Sequence, residues 1–454
     1  MNLVSWISTP VALIFRSQEI SYVFSRYGIA GTLKSLGVEI GKRGVAKVRK
    51  SKGEAKSLDF VLGKNLATTF VELGPSFIKL GQLLAQRPEW VGDSVATELR
   101  ILFDRVPPIS YRKVEKILKT EWGNKKFNEV IQKIEKKSLA SASLSQTHIA
   151  ILKDGREVVL KVQKPGVEKI VTLDLLLIES AVTIFDSLYP KLNLKLAFND
   201  FKQATLRELD YQEEAKNIDR FQKNNRSFFS NSSVVFPTYE KDLLTKKIIA
   251  LEPIRGKKAS EIKVNSRTAK RAAFLSSSAV LEQIFEYGFF HADPHSGNLF
   301  FLEDSGKIAF IDLGLVGQLE GEDRKRFIRV MLAIIRRDRK DLSKALYQLG
   351  VPGKSSDFIR FENDIDKILD EVKEMGVRNI KIKKTIDQLF KAAHQNQIFI
   401  PNRYVLMIRS CLMVEGVAKQ LDTKSSLLDV AVPILTKSLL RSYSPFNLFR
   451  SGKR

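Results

Sequence analysis

Four histidines and one cysteine in 454 residues are a thin supply of the side chains that bind transition metals or cross-link secreted domains. The single thiol, Cys411, excludes an intramolecular disulfide by arithmetic, and its setting in the helical apolar stretch MIRSCLMVEGVA reads as core filler. Long apolar runs are missing as well. LLLI at 175–178 is cut short by charge, and nowhere do about 18 uncharged apolar residues follow one another as a spanning helix requires. Residues 1–15 are uncharged, but Pro10 interrupts them and no basic stretch precedes them, which argues against a cleaved signal peptide. The expectation is a cytoplasmic chain without a transmembrane segment, even at its end in NLFRSGKR. Neither GxGxxG nor GxxxxGK occurs, so a glycine-rich lid and a P-loop are both excluded.

What is present in excess is positive charge. Lys and Arg number 75 against 51 Asp and Glu, a net charge of +24 that is spread along the chain and calls for an anionic partner. The first 60 residues hold ten of the basic residues beside apolar Leu3, Val4, Trp6, Ile7, Val11, Leu13, Ile14 and Phe15. That combination suits an interfacial helix on anionic lipid; the alternative is a helix packed on the body. Peripheral contact with the inner face of a membrane is expected, and nucleic acid is not. A hydrophobic content of 44% over this length supports two or three domain-sized cores.

Along the chain, LATTFVELGPSFIKLGQLLAQRPEWV from Leu66 reads as helix, Gly-Pro break, helix, with Pro75 in a first helical turn. The second helix sets Lys79 and Gln82 on one face, with Gly81 allowing close approach. At 139–164 a small-residue loop, a β-rich run, an Asp154-Gly155 turn and a second β-rich run predict a hairpin, with Lys161 inside its second strand. Helical patterns continue to about Asn224, followed by a Ser/Asn-rich loop at 224–233 and two strand-like runs, VVFP and KKIIALEP. Beyond Gly256 the pattern is helical except around HADPHSGNLFFLEDSGKIAFIDLG.

HADPHSGNLF gathers two of the four histidines. One reading places His291, Asp293 and His295 at alternate strand positions as metal ligands, but it accounts for only five residues. A second takes Asp293 and Asn298, five apart, with Asp312 at the end of the apolar run KIAF-ID. Acid, four residues, Asn, then a strand ending in Asp-x-Gly is the set that phosphoryl transfer uses. One carboxylate orients or deprotonates the acceptor, while Asn and the second Asp hold Mg²⁺ through hard oxygen ligands. Lys161 then pairs with the α/β-phosphates, steadied by a helical acid from RELDYQEEAKN, with Glu208 and Asp210 as first choices. Ala140, Ser141, Ala142 and Ser143 precede the lysine strand, where small side chains let backbone approach a nucleotide and serine hydroxyls donate to it.

Together KLGQ at 79–82, LASASLSQTH, LKVQKPG, ELDYQEEAKN, HADPHSGN, IDLG and VEGVAKQLD resemble the UbiB family of atypical kinases, also called ADCK proteins, from about residue 60 to 425. The resemblance implies an α+β, two-lobed protein-kinase-like fold. A helical extension, 1–108, would carry the K-x-G-Q helix and pack over the active-site cleft. The N-lobe with a helical insertion would span 109–255, and the mainly helical C-lobe 256–454. It further implies Lys161 as the nucleotide lysine, Glu208 as its helix partner, Asp293 as the catalytic aspartate, and Asn298 and Asp312 as Mg²⁺ ligands. Lys79 and Gln82 would lie at the nucleotide, where a side chain at position 81 would intrude, and their helix would restrict protein substrates. The implied activity is a Mg-ATP-dependent kinase or ATPase of ubiquinone or related prenylquinone biosynthesis, acting on isoprenoid precursors or on the biosynthetic enzymes. Ser145 and Thr147 depart from the family's usual residues in the loop. The other readings are a small-molecule phosphotransferase and a nucleotide-binding, non-catalytic lipid-binding scaffold.

Overall fold

The computed structural model describes residues 3–28, 52–85, 91–103, 107–188, 194–225, 233–336, 338–353, 355–375 and 382–442. Most of the loop expected at 224–233 and the terminal NLFRSGKR lie outside them. Contacts divide the chain into two compact units, Met1–Gln212 with Tyr239–Leu251, and Glu213–Thr238 with Glu252–Arg454.

The first unit contains the expected hairpin. Strands Ser145–Leu152 and Glu157–Gln163 pair antiparallel with Thr147 opposite Lys161, and Gly155 turns the chain between them at φ 86°. Strand Ile131–Ile134 flanks one side and Ile248–Leu251 the other, all antiparallel, while Ala140–Ser141 adds a short pair against Gln146 and Thr147. Alternation sends Val158, Leu160 and Val162 into a core with Val114, Leu118 and Trp122 of the helix Tyr111–Trp122. Lys161 therefore leaves by the opposite face.

A second core in this unit belongs to the helical extension. The break at Gly74, φ 97°, separates the helices Lys52–Leu73 and Pro75–Ala85 as the sequence predicts. Phe70, Phe77 and Ile78 of this pair pack with Leu99, Leu102, Val171, Phe198 and Phe201. Leu144, at the end of the small-residue loop, is buried in the same cluster, which ties the loop to the extension. The N-terminal helix, Leu3–Arg26, is fixed by an ion pair. Arg16 Nε and Nη2 donate to the two carboxylate oxygens of Asp174 at 2.6 and 3.0 Å, and Nη2 also donates to the Leu73 carbonyl at 2.6 Å. The helix has a packed face and an exposed one. Arg16 and Val23 face inward, whereas Val11, Ile14, Phe15 and Tyr22 share the outward face and are 48–67% exposed.

The second unit is mainly helical, with three small sheets among the described residues, one of them the short pair Val351–Pro352 with Ile398–Phe399. Leu299–Leu302 and Lys307–Phe310 form a hairpin joined by Val234–Val235 and Lys257–Lys258, and Phe289–His291 pairs with Val316–Gln318. Phe221 stacks on Phe236 at 4.9 Å and lies 4.7 Å from Phe289, an aromatic column beneath these sheets. The small-residue helix Arg267–Glu282, capped by Ser266 Oγ accepting from Ala269 N, packs on the helix Asn402–Leu421. Tyr404, fully buried, donates to Asp323 at 2.7 Å, and burial followed by that bond pushes its phenol up to about 12. Helices Phe358–Met375 and Ile382–Gln395 close their own cluster through Phe361, Ile365, Ala392 and Ile398. No helix among the described residues is long and apolar enough to cross a membrane.

Candidate functional site

In the second unit, three of the sequence-predicted residues converge for a topological reason. Leu299 opposes Phe310 in the hairpin, so Asn298 and Ile311 meet at its open end, where Ile311 N donates to the Asn298 carbonyl at 2.9 Å. The second sheet holds the other strand ends together, with His291 opposite Val316 and Ala292 N donating to the Leu315 carbonyl at 3.1 Å. The segments 292–298 and 311–315 are thus clamped side by side. They carry Asp293, Asn298 and Asp312.

Asn298 Nδ2 donates to the Asp293 carbonyl at 3.3 Å, which turns its Oδ1 into the outward acceptor. Asp312 has φ 57°, a left-handed conformation tolerated by Asp better than by most residues and held here against its intrinsic cost. Beyond it Gly314 lacks a Cβ that would stand 3.5 Å from Asp312 Oδ1 and 3.7 Å from Glu214 Oε2. Glu214, on the helix Tyr211–Asn225, is 3% exposed. An amide oxygen and two carboxylates are hard donors, the kind that Mg²⁺ takes. The sequence offered Glu208 and Asp210 of the same segment as partners for Lys161 and gave Glu214 no role, because only burial beside Asp312 distinguishes it from the neighbouring acids.

His291 is structural. Its Nδ1 accepts from Asp293 N at 3.0 Å and its Nε2 donates to the Ile311 carbonyl at 3.3 Å, so neither ring nitrogen is left for a metal. Burial lowers its pKa below the ordinary value, against the opposing pull of Asp293. Its backbone N donates to Gln283 Oε1 at 2.9 Å, and Gln283 begins the π-helical turn Gln283–Tyr287. The wider turn places this amide against the loop, a use that such turns often have near sites. His295 is exposed, with Nδ1 accepting from Gly297 N at 2.9 Å. Two residues invisible to the motif reading grip the loop from the helix Asn402–Leu421. Arg409 Nη2 donates to Asp293 Oδ1 at 2.8 Å and Ser410 Oγ donates to the His291 carbonyl at 2.7 Å.

The first unit holds the remaining predicted residues. Lys161 Nζ stands 5.5 Å from the centre of the Tyr211 ring. The backbone of Ala140 and Ser141 is pinned to the sheet, Ala142 N donates to the Ser145 carbonyl at 2.9 Å, and Ser143 completes the turn. Gln146, 1% exposed, clasps both backbone groups of Ile109 and donates to His148 Nε2 at 2.8 Å, while His148 Nδ1 donates to the Glu135 carbonyl. The loop is therefore rigid from behind.

One expectation needs correction here. The Glu208 carboxylate is ion-paired with Lys79, not with Lys161. Glu208 is the last residue of the helix Leu194–Glu208, and the helix Pro75–Ala85 lays Lys79 across that end before the lysine strand is reached. Gly81 lies within the packing of the extension. A Cβ there would overlap Leu102 Cδ1 and stand 2.6 Å from Phe70 Cδ2, so its close approach serves packing within the extension. Gln82 Nε2 likewise donates to the Leu102 carbonyl at 2.9 Å.

Comparison with known proteins identifies the family. The ABC1 atypical kinase-like domain matches residues 101–346 and the UbiB helical domain matches 365–426. A "Probable protein kinase UbiB" of Pseudomonas putida is 30% identical over 404 residues, covering 87% of this chain and 74% of that protein. Protein ACTIVITY OF BC1 COMPLEX KINASE 1, chloroplastic, of Arabidopsis thaliana is 31% identical over 85% of this chain, which spans 58% of its length. Among solved structures, the Mycobacterium tuberculosis protein Rv3197 in complex with erythromycin aligns with TM-score 0.56 at 23% identity, over 85% of this chain and 97% of that one. That likeness supports the fold alone. Taken with the α+β architecture and the Asp293, Asn298 and Asp312 cluster, these matches place the chain in the UbiB, or ABC1, family of atypical kinase-like proteins.

Proposed function

We propose that the chain is a Mg-ATP-dependent atypical kinase or ATPase that supports ubiquinone or related prenylquinone biosynthesis at a membrane surface. The observation that carries this reading is the convergence of Asp293, Asn298 and Asp312 on two clamped segments. Asn298 and Asp312 would hold Mg²⁺, with Glu214 as a further carboxylate beside them; the ion neutralises charge on the phosphates when bound. Lys161 would pair with the α/β-phosphates and the backbone of residues 140–143 would approach them. Asp293 would orient the attacking hydroxyl or water and take its proton. The Lys79 and Glu208 pair, at 14% and 34% side-chain exposure, and Gln82 would border the nucleotide and select it.

The names of the Pseudomonas and Arabidopsis relatives, each a kinase by name, support the kinase reading, and the biosynthetic context rests on the family resemblance. The net charge of +24 and the outward apolar face of Val11, Ile14 and Phe15 support an anionic lipid surface. Isoprenoid quinone precursors, or enzymes that act on them, are the substrate class this implies. The test is thermal unfolding with and without Mg-ATP, since a ligand of the native state raises Tm. A rise in the wild type that disappears in Lys161→Ala, together with flotation on anionic but not neutral vesicles, is the expected outcome. A wild type indifferent to Mg-ATP would refute the nucleotide reading, and indifference to both vesicles would refute the membrane one.

A further inference from the structure

The kinase-like match ends at residue 346, yet the Asp293 carboxylate is held from beyond it, by the helix Asn402–Leu421 within the helical-domain match. Arg409 Nη2 donates to Asp293 Oδ1 at 2.8 Å, with the two side chains 14% and 25% exposed. The next residue on the helix, Ser410, is fully buried and donates to the backbone carbonyl of His291 at 2.7 Å. One residue fixes the backbone before Asp293 and its neighbour fixes the carboxylate. A packing contact would need only the first of these.

We propose that Arg409 is a positioning residue for phosphoryl transfer, acting through Asp293. The inference rests on the reading of Asp293 as the acceptor's carboxylate. An isolated aspartate rotates about χ2 and offers either oxygen. A charge-assisted bond from a guanidinium to Oδ1 removes that freedom and leaves Oδ2 for the acceptor. Among the described contacts Oδ2 has no protein partner. In the step, Oδ2 takes the hydrogen of the attacking hydroxyl or water while its oxygen bonds to the γ-phosphorus. The bond from that phosphorus to the bridging oxygen breaks, ADP leaves with the electron pair, and the proton passes from Asp293 to solvent. Arg409 stays protonated throughout and changes no covalent bond.

The experiment compares wild type, Arg409→Ala and Arg409→Lys for kcat and KM of ATP hydrolysis, for Mg-ATP affinity by calorimetry, and for Tm. The expected result for Arg409→Ala is a kcat lower by roughly 10- to 100-fold, with KM and Kd within about threefold of wild type as uniform binding is untouched. Lysine should restore part of the loss, because it keeps the charge but not the fork. Unchanged kcat in Arg409→Ala overturns the assignment. So does a kcat loss matched by an equal loss of Mg-ATP affinity that lysine does not relieve, the pattern of a structural role. Absence of turnover in wild type would refute the catalytic reading itself, and the role of Arg409 with it.

Discussion

Replacing Asp174 by alanine removes the buried carboxylate that holds Arg16 in the first unit. Asp174 is fully buried and Arg16 is 8% exposed, held by two bonds to Asp174 and one to the Leu73 carbonyl. Deleting one member of such a pair leaves an uncompensated buried charge, at a cost of about 3–5 kcal/mol. Glu19, exposed and 2.8 Å from Arg16 Nη1, remains as a partial partner and moves the expectation to the lower end. For a unit of this size 1 kcal/mol corresponds to about 2–4 °C, so the transition should fall by roughly 6–12 °C. Differential scanning calorimetry of Asp174→Ala measures this directly. The double substitution Arg16→Met with Asp174→Leu separates charge from packing, since an apolar pair of similar volume often matches a buried ion pair, and most of the loss should return. A single variant melting within about 2 °C of wild type would refute the argument that this pair anchors the N-terminal helix.

Other consequences are local. Gly81→Gln should lower Tm by several degrees without changing nucleotide selectivity, because the added atoms meet Phe70 and Leu102; overpacking of this kind costs about 1–3 kcal/mol. Altered selectivity at unchanged Tm would contradict the packing role of Gly81. The pKa of His291 is lowered by burial, so the unfolded chain takes up the proton first. Its contribution to stability is therefore complete above its ordinary pKa of 6.5 and is lost as pH falls below it. Urea midpoints at pH 7.5 and 5.5 should drop more for wild type than for His291→Gln, and equal drops would contradict the assignment. Cys411 is half-buried, and desolvation, then the Glu415 carboxylate, push its thiol up to about 12. Iodoacetamide at pH 7.5 should leave it unmodified until the chain is unfolded, whereas rapid alkylation of the native protein would contradict a core role.

Short-range chemistry made much of this protein legible. The Asp154-Gly155 turn, the Gly74-Pro75 break and the spacing from Asp293 to Asn298 all express constraints within a few residues, and each lies where the pattern placed it. The pairs that went unseen join distant segments. Lys79 and Glu208 are 129 residues apart, Arg409 and Asp293 116, and Arg16 and Asp174 158. A lysine or arginine on a helix looks the same in sequence whether it meets water or a buried carboxylate. Only the packing of helices chooses among the 51 acids, and that choice assigned Glu208 to the extension and Asp293 to the helical domain. The π-helical turn at Gln283–Tyr287 was hidden for a different reason, since its residues carry an ordinary helical pattern and the bulge follows from what Gln283 must reach.

The most direct test of the central claim is ATP hydrolysis by the purified chain in Mg²⁺, with and without anionic liposomes, beside Asp312→Asn. Asp312 is placed by the hairpin and by its own left-handed backbone, which asparagine adopts as readily, so the variant should fold and melt like wild type. The account predicts turnover in wild type, stimulated by the liposomes and abolished in Asp312→Asn. Equal turnover in the two proteins would contradict it.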